Sequence, residues 1–586
     1  MRFRDSISMA ALIAGLVAIA PNAHAASLQD FKHIVVIYQE NHSFDNLYGH
    51  WGDVDEDEIN GPQNATPART KQVRQDNVTQ YRCLLQNDVN LTSPPLAQSC
   101  SDTSIGTTTF TSAFKNEPFF IDNYIAATDS TCPAPGVFAA NGLAKGSAGA
   151  LPGGCTKDIV HRFYSEQYQL NGGKQNRYLT GSDASGLTMG AYDTKKLPIF
   201  KYLHERGAPK YVIADSFFQA AFGGSFLNHQ WLVAGASPFW ANAVHDGSTN
   251  DFHSIVDSNG MPTATPLYTP TGTVKDTMMT QACPASNGLA CGDYAVNTTQ
   301  PFSQPYSPGT ADNKRLPPLT NPTIGDRLMA KRVDWAWYSG GWSNASGNVG
   351  GPGWTNGTSS CTDPNANLSA GFPLCPDKNF QYHHQAFNYF ANFQIGTVGR
   401  THLRDEAEFL QSAQNGTLKA VSFIKPVGEE NEHPGYTSET EGSSHLVDLI
   451  KAVVNGPQAK DTLIIVTYDE FGGQWDHVPP PPYGRHGRDA QAADQWGPGT
   501  RIPALLVSKR FERSGVAHED YDTTSIIKLI ERRFDLQTML TRPVRSLSVA
   551  LQAAGRGDNG HDHDDDHGNG NGHGNGNGNG HGDHDH

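Results

Sequence analysis

The chain has no run of lysine and arginine, no apolar stretch long enough to cross a bilayer, and no Cys-x-x-Cys pair. The first absence argues against a nucleic acid partner, the second against a transmembrane segment, and the third against a thiolate zinc site. Charge is sparse: Asp, Glu, Lys and Arg make up 17% of the residues. The formal net charge of −16 overstates the acidity of the body, because seven aspartates lie in the tail from Asp558 onward. What remains is 37% hydrophobic and 10% aromatic, ample for a globular core. A length of 586 residues suits one large domain with insertions, or two to three domains.

The N-terminus has the pattern of a secretion signal. Arg2 and Arg4 precede an apolar stretch from Met9 to Ala20, and Ala23-His24-Ala25 supplies an A-x-A cleavage site. The expected signal peptide is 1–25, with a mature chain from Ala26 that is periplasmic or secreted. In that oxidising compartment the eight cysteines fall into four local couples. The simplest pairing is sequential: Cys83 with Cys100, Cys132 with Cys155, Cys283 with Cys291, and Cys361 with Cys375. Connectivity itself stays open in the sequence. These residues sit in stretches rich in Gly, Pro, Ser, Thr and Asn, which read as loop insertions near 52–155, 237–322 and 339–378.

Outside the insertions, apolar runs alternate with helical patterns. Strands are expected at 31–39, 211–215, 333–338, 420–426, 462–468 and 502–508. Helices are expected at 158–169, 196–206, 326–331, 401–413, 443–454 and 523–534, with another ending near Leu232. That alternation predicts an α/β fold, a three-layer α/β/α sandwich with a mostly parallel central sheet and loop-rich, disulfide-bonded insertions. One domain would span 26–554. The His-, Asp-, Gly- and Asn-rich tail, 555–586, cannot bury apolar surface and is expected to be disordered.

Two of the apolar runs end in oxygen donors. His33-Ile34-Val35-Val36-Ile37-Tyr38-Gln39 leads into Glu40-Asn41, and Thr462-Leu463-Ile464-Ile465-Val466-Thr467-Tyr468 leads into Asp469-Glu470. Open α/β sheets bind ligands outside the carboxyl ends of their strands. If the two strands are neighbours, Glu40, Asn41, Asp469 and Glu470 converge on one cation, and such hard donors suit Mg, Mn, Ca or Fe. Ser225 follows Gly223-Gly224 at the start of a helix, where a hydroxyl can act as a nucleophile or simply cap the helix. It is not an esterase elbow, since Leu227 stands where G-x-S-x-G needs its last glycine. His161, His383, His384 and His433 are candidates for binding phosphoryl oxygens or moving a proton.

These motifs resemble a known family. Ile34-Val35-Val36-Ile37-Tyr38-Gln39-Glu40-Asn41-His42-Ser43-Phe44-Asp45-Asn46-Leu47-Tyr48-Gly49 resembles the opening motif of bacterial phospholipases C and secreted acid phosphatases of the phosphoesterase family, within the alkaline-phosphatase-like superfamily. Phe222 to Gln230, Thr467 to Val478, His161 to Tyr164, Tyr382 to Gln385 and Glu432 to Gly435 fit the same pattern. The resemblance implies a single divalent metal held by Glu40, Asn41, Ser225, Asp469 and Glu470. It implies a phosphoseryl intermediate on Ser225, with Asn41, His161, His384 and His433 on the phosphoryl oxygens and His383 a lesser candidate for that role. The Ser225 loop lacks the Asp-Pro-Asn-Arg run of the phospholipase branch, and His42 replaces its arginine. The expected activity is therefore an exported metal-dependent acid phosphatase acting on small phosphomonoesters, with an acidic optimum set by protonated histidines. The alternatives are a phospholipase C cleaving phosphodiester headgroups and, from the metal-capable tail, a non-enzymatic metal-binding export protein.

Overall fold

The computed structural model describes residues 26–555, except for 75, 87, 93–95, 106–107, 185, 241–293, 357–378 and 482–491. The expected signal peptide, the tail from 556 and the expected Cys283–Cys291 and Cys361–Cys375 couples fall outside the described residues. The other two pairings are present, Cys83–Cys100 with Cα atoms 5.9 Å apart and Cys132–Cys155 at 4.8 Å.

Eight strands form the central sheet: β1 (His33–Gln39), β2 (Lys210–Ala214), β3 (Trp335–Ser339), β4 (Leu403–Asp405), β5 (Val421–Lys425), β6 (Thr462–Tyr468), β7 (Ala504–Ser508) and β8 (Gly515–Ala517). Their order is β4-β3-β5-β1-β6-β7-β2-β8. Every pairing is parallel except those of β7, which runs antiparallel to both β6 and β2. The fold is the expected α/β sandwich with a mostly parallel sheet. β1 and β6 lie at its centre because they are apolar on both faces. All of β6 is buried, as is all of β1 after His33.

Helices α1 (Phe163–Leu170), α2 (Pro198–Leu203), α3 (Ser225–Ala234), α4 (Ile324–Lys331), α5 (Glu406–Asn415), α6 (Glu439–Val454) and α7 (Thr524–Phe534) pack in two groups. α6 contacts α2 and α5, while α3 contacts α4 and α7. In α7, Ile526, Ile527, Leu529 and Ile530 are buried, the spacing of one apolar face.

Two expected helices start later than their sequence pattern suggests. The segment expected at 401–413 first forms a 3-10 turn and the short strand β4. The helix begins at Glu406, where the Asp405 side chain accepts from the Ala407 N–H. The segment expected from 158 becomes helical only at Phe163, which leaves His161 on the preceding loop.

Candidate active site

β1 and β6 pair in parallel with Gln39 opposite Tyr468. The next residues of both strands therefore emerge side by side, which is how positions more than four hundred residues apart meet. The Asp469 N–H donates to the Gln39 carbonyl at 3.0 Å, and the Asn41 N–H donates to Asp469 Oδ1 at 3.0 Å. Asn41 takes a left-handed backbone, φ 59°, which asparagine tolerates better than most side chains. Gly472, at φ 62°, lies so close that a Cβ there would stand 2.1 Å from the Asn41 carbonyl oxygen. The chain after β6 can fold over Asn41 only with glycine at this position.

Ser225 is the first residue of α3. Gly224 takes the N-cap position, so Ser225 is not acting as a capping serine. Its hydroxyl donates to Glu40 Oε2 at 3.1 Å. The loop before it is held by Glu166, which accepts from the Gly223 N–H, from the Thr500 N–H and hydroxyl, both at 2.7 Å, and from Gln219 Nε2 at 3.0 Å. Burial raises the Glu166 carboxyl to about 7 despite these bonds.

Glu40, Asp469 and Glu470 are wholly buried. Burial, then the charge of Asp469, raises the carboxyls of Glu40 and Glu470 well above the ordinary glutamate value, and Lys425 opposes the rise at Glu40. The Lys425 ammonium forms an ion pair with Glu40 Oε1. If all three carboxyls were ionised, they would carry two more charges than the one ammonium paired with them among the described residues offsets. Asn41 Oδ1, Asp469 Oδ2 and Glu470 Oε1 are buried without hydrogen-bond partners among the described residues. An oxygen-rich cluster with orphaned acceptors fits a divalent cation.

The expected histidines divide into two sets. His161, His383 and His433 line a cavity of about 580 Å³ with Ser225. His161 Nε2 lies 3.4 Å from Asn41 Nδ2 and 3.5 Å from Glu470 Oε1, while its Nδ1 faces Asp158 at 3.5 Å. His433 Nδ1 bonds the Pro434 carbonyl at 2.6 Å. His384 does not line the cavity. It turns inward, with Nε2 3.3 Å from Glu40 Oε1. The acid optimum expected from protonated histidines is not supported by these surroundings. Burial lowers His383 to about 3 and holds His384 and His433 well below the ordinary imidazole value, with Lys425 among the further causes.

Two residues at the site escaped the sequence reading. Lys425 closes the apolar β5, and its charged end could have marked it. His229 lies one helical turn after Ser225, hence on the same face of α3, and its Nε2 stands 3.8 Å from Glu40 Oε1. His42, at the arginine position of the family motif, pairs with Glu439 Oε2 at 2.8 Å. Burial disfavours its charge, but Glu439, Glu432 and Asn46 together outweigh burial and lift the imidazole to about 9. A cation is therefore retained where the arginine would stand.

The model of the Phosphoesterase family matches residues 31–116 and 140–537. Among curated proteins the chain is 32% identical over 142 residues to a non-hemolytic phospholipase C of Burkholderia pseudomallei, covering 21% of this chain and 20% of that protein. It is 32% identical over 142 residues to phospholipase C B of Mycobacterium tuberculosis, covering 22% and 27%. It is 26% identical over 154 residues to non-specific phospholipase C6 of Arabidopsis thaliana, covering 23% and 29%. The aligned part spans less than a third of each of these relatives.

Proposed function

The chain belongs to the Phosphoesterase family, and from that premise we propose that it is an exported phosphoric ester hydrolase of the phospholipase C type, cleaving phosphodiester headgroups through Ser225. The observation that carries this reading is the Ser225 hydroxyl, bonded to a buried carboxylate and opening into a histidine-lined cavity. The phospholipase C relatives reverse the order of the two enzymatic readings, placing diester ahead of monoester. The cavity supports the same order. It extends beyond the phosphoryl-sized space at Ser225 to Phe138 and Tyr436, whose rings stack at 4.3 Å, leaving room for an ester substituent. His42 keeps the cation of the phospholipase motif. A serine without the Asp-Pro-Asn-Arg run still favours the acid phosphatase reading as the second choice.

In the proposed reaction Ser225 Oγ attacks phosphorus in line, and its proton passes to Glu40 Oε2, to which it already donates. The first backbone N–H groups of α3 face the phosphoryl oxygens. The bond from phosphorus to the alcohol oxygen breaks, and His161, with a carboxylate near each ring nitrogen, protonates the leaving alkoxide. The Nδ1 proton of His433 is committed to the Pro434 carbonyl, so its Nε2 lone pair is available to take a proton from the attacking water. Water then displaces Ser225, which recovers its proton from Glu40. A divalent cation held by Glu40, Asn41, Asp469, Glu470 and Ser225 would offset the charge that develops on phosphorus and lower the serine pKa.

The test is a substrate panel on the purified enzyme. A soluble chromogenic choline phosphodiester should be hydrolysed with a kcat/KM at least about tenfold above that for the matching phosphomonoester. Faster monoester turnover would return the protein to the acid phosphatase reading.

A further inference from the structure

Glu40 Oε1, His229 Nε2 and His384 Nε2 form a second cluster behind the cavity, with all three atoms within 4.8 Å of one another and all three residues buried. His384 Nε2 is 3.3 Å and His229 Nε2 3.8 Å from Glu40 Oε1. The two rings stack nearly parallel, 3° apart, with centroids at 4.8 Å. His229 Nδ1 lies 2.7 Å from the Ser225 carbonyl, which can only accept, so Nδ1 carries the proton and Nε2 presents a lone pair. Neither Nε2 has a hydrogen-bond partner among the described residues. The buried His229 Nε2 lone pair and the Glu40 carboxylate repel one another unless a cation joins them. Four-coordinate metals with bonds of about 2.0–2.1 Å set their donor atoms roughly 3.3 Å apart, close to the spacing here. This nitrogen-and-oxygen triad is thus a metal-type site that shares Glu40 with the oxygen-rich cluster.

A cation is already built in. Lys425, the last residue of β5, is 1% exposed, and its ammonium reaches the Tyr38 carbonyl at 3.0 Å, the Gln39 carbonyl at 3.5 Å and Glu40 Oε1. Three acceptors match its three N–H donors, so the side chain is fixed at the shared carboxylate. We propose that Lys425 is the permanent cation of the Glu40–His229–His384 triad, closes it to metal, and so limits the enzyme to one divalent ion in the oxygen-rich cluster. The inference rests on reading that cluster as the cation site, and the experiment separates the two.

Full-length protein, stripped by chelator, is loaded with Mn2+ alone and followed by electron paramagnetic resonance. Wild type should show isolated Mn2+ only. Lys425→Met should bind one more ion and show an exchange-coupled pair, since Glu40 would bridge both ions. Adding His229→Leu to that variant should abolish the coupling. Ions held loosely by the histidine-rich C-terminal segment add only to the isolated signal. A coupled pair in wild type, or a folded Lys425→Met with an ion at the oxygen-rich cluster and no coupled pair, would overturn the proposal. Lys425→Gln, which keeps a donor for the Tyr38 carbonyl, carries the same test if the Met variant does not fold. Anomalous scattering from Mn2+-soaked crystals locates each ion. An ion confined to the triad of the variant, with none at the oxygen-rich cluster of either protein, would sink the cluster reading and the one-ion limit with it, and leave standing the closure of the triad by Lys425. No ion at either place in either protein would sink both.

Discussion

Two buried acidic clusters follow the same pair of strands and differ in how they are neutralised. Among the described residues, Glu40, Asp469 and Glu470 have Lys425 as their one paired ammonium, and Asn41 Oδ1, Asp469 Oδ2 and Glu470 Oε1 lack hydrogen-bond partners. A few residues further along each segment, Asp45 and Asp476 meet Arg501. Its Nη2 donates to Asp45 Oδ1 at 2.7 Å, its Nε to Asp476 Oδ2 at 3.2 Å, and its Nη1 to the carbonyls of Asn60 and Asp215. His477 Nδ1 completes the set at 2.7 Å from Asp45 Oδ2. Asp45, Asp476, His477 and Arg501 have no orphaned polar atom among the described residues. Asp45, Asp476 and His477 also have metal-ligand proximity, but Arg501 already pairs with both carboxylates. Proximity of acids and histidines therefore does not separate a metal centre from a structural network. The balance of donors, acceptors and charge does.

The comparison can be broken most severely at Ser225. Ser225→Ala should lower turnover by at least ~10³-fold with the thermal midpoint unchanged, because the hydroxyl is required for attack and not for capping. Undiminished turnover in that variant would end the phosphoserine reading. The next largest effect is expected in the satisfied cluster. Arg501→Met leaves two buried carboxylates without their guanidinium and should cost about 3–5 kcal/mol in urea unfolding. A cost near zero would show that the network is not structural.

The smallest effect has the opposite sign. Glu470→Gln in chelator-treated protein should raise stability by roughly 1–2 kcal/mol at neutral pH, because it removes a carboxyl whose ionisation burial and Asp469 both disfavour. The folded-state carboxyls of Glu40 and Glu470 are raised, so the metal-free fold holds protons that the unfolded chain releases. Their penalty is absent below the ordinary glutamate value, about 4.5, and grows as pH rises above it. Denaturation from pH 4 to pH 8 should show metal-free wild type losing stability with rising pH, and Glu470→Gln losing less. Equal slopes for the two proteins would remove the electrostatic account of the cluster.

Much of this arrangement was legible before any coordinates. The runs 33–39 and 462–468 are apolar at every turn of the pleat, so their place as central strands follows from composition alone. Their terminal Glu-Asn and Asp-Glu pairs mark the ligand end of the sheet. His161 was misplaced onto a helix because the pattern around it is helical in both directions. The inward turn of His384, unlike the neighbouring His383, cannot be read from two adjacent identical letters. Lys425 and His229 carried weak signals, a charge at the end of a buried strand and a residue one turn after a nucleophile, which gain meaning only beside Glu40.

The linear chain on its own determined which segments become central strands, where each one ends, and which side chains are able to donate oxygen. These are local properties, set by the alternation of apolar and polar positions along a few residues. Only the folded arrangement decided that Gln39 stands opposite Tyr468, that β5 delivers an ammonium against Glu40, and that Arg501 pairs with both carboxylates of one acidic cluster while its neighbour keeps acceptors without partners among the described residues. Register, and with it the charge balance of each buried group, depends on which strands lie side by side, and strand periodicity carries no record of the neighbour.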